Sequence, residues 1–466
     1  MRSLCNIYTN LIDDKIFRMQ PILCIVGGGL AGSEAAWQAA EHGIYVKLYE
    51  MRPIRQTEVH QTDQLGELVC SNSLGSKLPN NGTGLLYQEM KVLGSLICQV
   101  ADRTCVPAGT ALAVDRQLFS QELTSIISKH PNIEIIKQEI TEIPSEPTII
   151  ASGPLTSPAL AKTLQSFHGE KNLFFYDAIA PLVADDSIDH SIAFRGSRYG
   201  KDKSQEGDYL NCPMTREQYN YFVEELGKAS TIPLKSFEEE ITNGVNAGPG
   251  LFFEGCLPVE VIARRGSNAL AFGPLRPVGL RKMVEGTPPY AIVQLRQDNL
   301  HNTIYNMVGF QTNLTYSEQQ RIFRLIPGLE QAVFVRYGQM HRNTFLFAPS
   351  LINPYLQHRE RKDLFFAGQL IGIEGYLGNA ASGFVAGINA ARYLHHEQLL
   401  EFPTGSMVGA LCHYISHADR DVFQPMKANF GILPPIIPKI VIKQERKAAL
   451  VERSLITLNK FVELIE

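Results

Sequence analysis

The chain has 466 residues, 44% hydrophobic and 19% charged, with a formal net charge of −4. This is the composition of a globular protein with ample core material, and by length it should form about two to four domains, or fewer large ones with insertions. Its slightly negative charge excludes a global attraction to nucleic acid or anionic membrane, so any polyanionic partner must meet a local basic patch.

The first segment, "MRSLCNIYTNLIDDKIFRMQ", contains Asp13 and Asp14 and lacks the apolar region of a secretory signal. Met19 precedes the first convincing strand. Residues 1–18 are therefore read as a disordered extension or a misassigned start. No run approaches the ~20 apolar residues of a membrane span.

"PILCIVGGGLAGSEAAWQAAEHGIYVKLYE" (21–50) predicts a βαβ unit. Ile22 to Val26 suits a buried parallel strand, Leu30 to His42 is alanine-rich and helical, and Tyr45 to Tyr49 resumes strand character. Gly27, Gly29 and Gly32 match GxGxxG, and Glu50 follows the last glycine by eighteen residues. The first glycine permits a tight turn, the second lets backbone approach a pyrophosphate, and the third lets helix and strand pack closely. The helix N-terminus favours the phosphates, and the acid is placed to accept from ribose hydroxyls. Gly28, Leu30 and Ala31 complete the turn.

"GELVCSNSLGS" (66–76) then sets Cys70 in a polar, glycine-punctuated stretch. A cysteine usually packs as a small hydrophobe, and this neighbourhood is not core-like, so Cys70 is read as facing a bound ligand. "PTIIASGP" (147–154) predicts another short strand. The texture changes over residues 176–335, with "FRGSRYGKDKSQEGDYLNCP" and prolines near 274–289. This stretch is read as an inserted α+β domain for substrate. It carries two basic groups: Arg195, Arg198, Lys201 and Lys203, then Arg264, Arg265, Arg276, Arg281 and Lys282.

"DLFFAGQLIGIEGYLGNAASGFVAGINAARYL" (363–394) predicts a third strand, a glycine-rich loop and a long small-residue helix. A nicotinamide enzyme could stop at the first βαβ unit. This second glycine-rich helix start argues for FAD, contacted through Gly372, Gly378, Asn379, Ala380 and Gly383. The competing reading gives these small residues to close helix packing. An S-adenosylmethionine enzyme would also use a glycine turn but leaves residues 367–383 unexplained. The fold expected is α/β: a Rossmann-like, two-segment FAD-binding domain (19–175 and 336–466) around the insertion. A terminal amphipathic helix closes the chain.

The eight cysteines (5, 24, 70, 98, 105, 212, 256, 412) form no CxxC pair. They read as reduced thiols of a reducing compartment, the cytoplasm. Cys24 falls within the first strand, and Cys98, Cys105 and Cys412 are assigned to packing. His413 and His417 share a helix face without a third ligand, so no metal site is expected.

Together, "VGGGLAGSEAA", "ELVCSNSLGS", "FFEGCLPVEVIARRG", "FGPLRPVGL", "MHRNTF" and "GQLIGIEGYLGNAASGFVAGINAAR" resemble the folate-dependent, FAD-containing tRNA (uracil-5-)-methyltransferase family. The resemblance spans about residues 21–435. It implies methylation of the T-loop uridine of tRNA to 5-methyluridine, with methylenetetrahydrofolate as carbon donor and NADPH or NADH as reductant through FAD. It also implies that Cys256 is the nucleophile on the uracil and that Cys70 acts near the flavin. Related flavoproteins modifying the wobble uridine, a small-molecule flavin oxidoreductase and a non-catalytic tRNA binder that retains FAD stand as alternatives.

The chemistry agrees with a thiol. Uracil C5 becomes nucleophilic only when something adds at C6, and a thiolate is the best protein nucleophile for that addition. Pro258 suits the first turn of a helix, which would put Cys256 near a helix N-terminus, where a thiolate is favoured. Arg264 and Arg265 are candidates for the tRNA backbone. His341, Arg342 and Asn343 of "MHRNTF" are candidates to stack on or hydrogen-bond a base or folate.

Overall fold

Aliphatic runs build the first sheet. The structure, a computed structural model, describes residues 21–57, 59–168, 173–198, 207–232, 257–280, 286–419 and 423–465. β1 (Ile22–Val26) is buried from Leu23 onward, α1 (Leu30–Glu41) follows a glycine turn, and β2 (Tyr45–Glu50) lies parallel to β1. Alternate residues of β2 are buried, ending on Glu50, so the pleat turns that carboxylate inward. β3 (Ser73–Ser76), α2 (Gly82–Val92), α3 (Leu96–Arg103), β4 (Cys105–Val106) and β5 (Ala111–Val114) follow, the three strands forming a small antiparallel sheet. α4 (Arg116–Ser128) leads to β6 (Ile133–Lys137), parallel to β2, and then β7 (Thr148–Ile150), parallel to β1. α5 (Pro158–His168) and β8 (Leu173–Ala178) end the first segment.

The second sheet is antiparallel throughout. It contains β9 (Leu182–Ala184), β10 (Phe194–Gly196), β11 (Tyr209–Met214), β12 (Ala291–Gln297), β13 (Ile304–Met307) and β14 (Phe334–Arg336), in the order β10-β11-β12-β13-β9-β14. α6 (Arg216–Lys228), α7 (Val259–Arg264) and α8 (Tyr316–Phe323) accompany it. Tyr219, Phe222, Phe310 and Phe323 anchor a core separate from that of the first sheet. Separate cores are the mark of separate folding units.

β15 (Met340–Phe345) runs antiparallel to β8, pairing Met340 with Ala178 and Phe345 with Leu173, so the outgoing and returning strands are hydrogen-bonded together. β16 (Leu364–Phe366) then pairs with β7, completing the parallel order β16-β7-β1-β2-β6. β17 (Ile373–Glu374), α9 (Tyr376–Leu394), α10 (Met407–His417), β18 (Met426–Lys427) and the amphipathic α11 (Lys443–Val462) follow.

α1 and α9 cross in close contact. A Cβ on Gly383 would lie 2.1 Å from Ala31 O, and one on Gly387 2.7 Å from Ala35 O. Only residues without side chains let the backbones approach this far.

Two buried carboxylates tie helices together. Glu34 of α1 accepts from Ser95 Oγ (2.7 Å) and from the Leu96 and Ile97 N–H groups (3.2 and 2.9 Å) at the start of α3. Glu89 of α2 accepts from Met407 and Val408 N–H (2.7 and 2.9 Å) at the start of α10, and from the hydroxyl of Ser454 in α11. Acids suit these positions because helix N-termini carry unsatisfied donors and partial positive charge. Burial nevertheless raises the Glu34 carboxyl and pushes Glu89 up to about 7, against the opposing effect of the donors.

No described helix is long and apolar enough to cross a membrane. Among the described residues no cluster of histidine, cysteine and acid could hold a metal; His413 and His417 stack on each other with ring centres 4.2 Å apart.

Candidate dinucleotide cleft and thiol site

The β1–α1 turn divides its glycines by task. Gly27 has φ +109°, and a Cβ there would meet Ala151 O at 2.5 Å; a Cβ on Gly32 would meet Gly27 O at 1.8 Å. Both are small so that the turn can close against the chain. Gly29 differs: a Cβ there would meet nothing within 4 Å. It faces open space at the N-terminus of α1, as a pyrophosphate-binding backbone requires.

That open space belongs to a cleft. Its walls bring together Gly27, Gly28, Gly29, Leu30 and Ala31, then Glu50 with Arg52, the segment Ser152–Ser157 after β7, and Cys70. From the C-terminal segment it is lined by Gly368, Gln369, Tyr376 and Asn379. Tyr376 and Asn379 are three apart on α9 and share a face.

Gly32, Gly372, Gly378, Ala380 and Gly383 do not line the cleft. Gly372 ends a 3-10 turn with φ +82°, against Phe423; Gly378 packs on Ile373, Ala380 is in the core, and Gly383 lies on Ala31. The glycine-rich sequence here lets these elements pack closely.

Glu50 is fully engaged within the chain. Oε1 accepts from Arg52 N–H and Nε (both 2.9 Å), and Oε2 from Gly28 N–H (3.1 Å) and Arg52 Nη2 (3.0 Å). A carboxylate offers about four lone-pair sites, so a ribose hydroxyl would share or displace one of these donors. Burial works to raise the Glu50 carboxyl, but the bonds and charge of Arg52 outweigh it and hold it below the usual range. Arg52, itself buried, also reaches Glu67 at 3.1 Å.

The loop bearing Cys70 is clasped from several elements. Tyr376 Oη accepts from the N–H groups of Cys70 (2.9 Å) and Ser71 (3.3 Å). Arg116 Nη1 donates to Leu68 O at 2.7 Å, while its Nε meets both oxygens of Asp298 at 3.1 and 2.9 Å. Arg296 donates to Ser71 Oγ (2.7 Å) and Asn72 Oδ1 (2.9 Å), and Asn72 Nδ2 donates to Val114 O and Gln297 O. Burial, with the nearby Cys70 sulfur adding to it, drives the Tyr376 phenol well above its ordinary value. Burial, then the charge of Arg116, lowers Arg336 to about 10.

Cys24, Cys98, Cys212 and Cys412 are buried. Burial raises all four, Cys212 and Cys412 to about 12, which makes them inert packing thiols at neutral pH. Cys256 and residues 1–18 lie outside the described residues, as do Lys201, Lys203, Arg281 and Lys282. Pro258 is the N-cap of α7, one position before the helical first turn expected for it. Arg264, Arg265 and Arg276 are exposed. Arg195 and Arg198 are half-buried and donate to Tyr305 Oη (3.1 Å) and Pro274 O (2.9 Å). His341, Arg342 and Asn343 lie on β15, opposite Asp177, Tyr176 and Phe175 of β8.

Sequence reasoning missed Tyr376, Arg116, Arg296, Asp298 and Arg336. Tyr376 had a signal, standing after Gly375 at the start of a helix whose first turn faces the cleft. The others sit in unremarkable contexts and meet only in three dimensions.

Residues 22–398 match the family model described as glucose inhibited division protein A. The methylenetetrahydrofolate–tRNA-(uracil-5-)-methyltransferase TrmFO of Natranaerobius thermophilus is 53% identical over 445 residues, 95% of this chain and 99% of that protein. The proteins of the same description from Bacillus velezensis and Bacillus subtilis are each 51% identical over 446 residues, 96% of this chain and all of theirs. Among solved structures, Aquifex aeolicus GidA superposes with a TM-score of 0.70 at 16% identity, covering 96% of this chain and 74% of that one. That likeness establishes the α/β fold. The sequence matches go further, and on them this chain belongs to the TrmFO family.

Proposed function

We propose that this protein methylates C5 of the T-loop uridine of tRNA, using methylenetetrahydrofolate as carbon donor, FAD in the cleft, and NADPH or NADH as reductant. The observation that carries the reading is that one cleft joins the glycine turn, Glu50, the start of α9 and the Cys70 thiol. The identity to TrmFO proteins over nearly the whole chain supports it.

The residues present fit FAD. Gly27 to Ala31 would hold the diphosphate, Glu50 the ribose side, and Gly368, Tyr376 and Asn379 the flavin end. Bound there, the flavin would carry reducing electrons to the one-carbon unit.

The chain's own thiols do the base chemistry. Cys256 adds to uracil C6 and makes C5 nucleophilic. Once C5 holds the new carbon, parted from the folate nitrogen and reduced to methyl with electrons from NADPH or NADH, Cys70 accepts the C5 proton. The C–H electron pair becomes the C5=C6 double bond, and the sulfur of Cys256 leaves C6 as thiolate. The target base is stacked within tRNA, so it must be extruded to reach the cleft. Arg264, Arg265 and Arg276 are exposed and are the candidates to meet phosphates, within a protein that acts in the cytoplasm.

The test is direct. Purified protein with FAD, methylenetetrahydrofolate and NADPH should form 5-methyluridine in tRNA transcripts. Product should vanish when folate is omitted or the T-loop uridine is replaced by cytidine. Modification confined to the wobble uridine would overturn the reading.

A further inference from the structure

The second sheet has one apolar and one polar face. Leu295, Met307, Tyr305 and Val183 pair on the core side. On the opposite side the register sets Arg296 of β12 beside Asn306 of β13, Asn306 beside Leu182 of β9, and Leu182 beside Arg336 of β14. Directly paired residues share a face, and neighbouring strands lie about 4.8 Å apart. Arg296, Asn306 and Arg336 therefore stand in one row. Phe334, two residues before Arg336, packs on the core side, and the register shift between them turns Arg336 to the other face.

The row looks toward the loop 68–72. Arg296 donates to Ser71 Oγ and Asn72 Oδ1, and Arg116 of α4 donates to Leu68 O. At the far end of the row, Arg336 interacts electrostatically with Arg116 and Asp298. What this region lacks is acceptors. Arg336 Nε and Nη2, Asn306 Nδ2 and Arg116 Nη2 are buried and make no hydrogen bond among the described residues. All four are donors. Asp298 acts on both Arg296 and Arg336 but gives both its oxygens to Arg116.

Buried donors and charges without acceptors are unfavourable, and this set complements a group that only accepts. The open atoms of Arg336, Nε and Nη2, form the guanidinium edge that grips a carboxylate or phosphate through two parallel bonds. The site is buried between two units with separate cores, and such seams open more readily than cores do. That place suits the anionic end of a small co-substrate better than a tRNA backbone.

We propose that Arg336 and Asn306, with Arg116 adding charge, bind the oxyanion of a small co-substrate. The proposal rests on the reading of this chain as a methyltransferase using folate and NADPH or NADH. That reading supplies two such oxyanions, the glutamyl carboxylates of the folate and the phosphates of the nicotinamide nucleotide.

Full-length protein loaded with FAD is titrated calorimetrically with 5-formyltetrahydrofolate and, separately, with NADP+. Arg336→Met should weaken one of the two by about tenfold or more, and Asn306→Ala should weaken the same one less. Arg336→Lys should recover part of the loss, keeping the charge without the fork. Loss for the folate alone assigns a carboxylate, and loss for NADP+ alone assigns a phosphate. Equal loss for both, loss for neither, or an effect confined to tRNA binding overturns the proposal. A second measurement needs no variant. Wild type is treated with phenylglyoxal, and either ligand at saturation should slow modification of Arg336 several-fold. An Arg336 that never reacts, or reacts alike with and without both ligands, overturns the proposal even if no variant folds. Neither measurement uses turnover, so protection of Arg336 in a protein that leaves tRNA unmethylated would count against the functional reading alone.

Discussion

Tyr376 Oη stands 2.9 Å from the Cys70 amide, joining residues 306 apart in sequence. One phenol oxygen takes the N–H groups of both Cys70 and Ser71, so the first residue of α9 sets the loop that presents the thiol. Tyr376→Phe keeps the ring and removes that acceptor. We expect a loss of about 1–3 kcal/mol in stability, the usual cost of stranding buried donors. Amide exchange should quicken over the peptide spanning Cys70 and Ser71 while FAD stays bound. Unchanged exchange there would show that the phenol does not hold the loop.

The glycine turn separates a folding role from a binding role. A side chain at Gly29 meets no protein atom, so Gly29→Val should fold with near wild-type stability and be isolated colourless, its cleft obstructed. Gly32→Ala would press against Gly27 O and should lower the melting temperature. Flavin absorbance and thermal denaturation read the two effects apart; a yellow Gly29→Val protein would move the diphosphate elsewhere.

Glu89 gives the protein a pH dependence of known sign. Its carboxyl titrates near 7 when folded, against about 4.3 in an unfolded chain. The folded state therefore binds the extra proton. Its contribution is complete below about pH 4 and is lost as pH rises to 7, by roughly 3 kcal/mol. Glu34, raised in the same direction, adds to the slope. Urea midpoints of wild type should fall across this window, and Glu89→Gln should flatten part of that fall. An equally steep profile in the variant would place the titration on another group.

Cys256→Ala should abolish methyl transfer while FAD content is retained, since losing a covalent nucleophile costs orders of magnitude in rate. A tRNA carrying 5-fluorouridine at the target has no C5 proton to release. It should trap wild type covalently and leave Cys256→Ala untrapped. Cys70→Ala should still trap yet turn over poorly. Trapping by Cys256→Ala but not by Cys70→Ala would exchange the two roles.

The sequence alone determined what is local. A strand, a GxGxxG turn and a helix occupy some thirty consecutive residues, and their spacing fixes backbone geometry almost without reference to the rest of the chain. The same holds for Cys70, whose polar surroundings set it apart from core thiols such as Cys98. Tertiary structure decided what each small residue is for. Gly29 and Gly383 look alike in sequence, but one faces the cleft and the other lies against Ala31, because a missing side chain admits a ligand or a neighbouring helix equally well. It also decided the electrostatics beside the Cys70 loop. Arg116 and Asp298 are 182 residues apart and pair at 2.9 Å, and Arg336 arrives from the second sheet with no acceptor for Nε or Nη2 among the described residues. Charge acts through space, and only the packing of the two sheets brings these groups together.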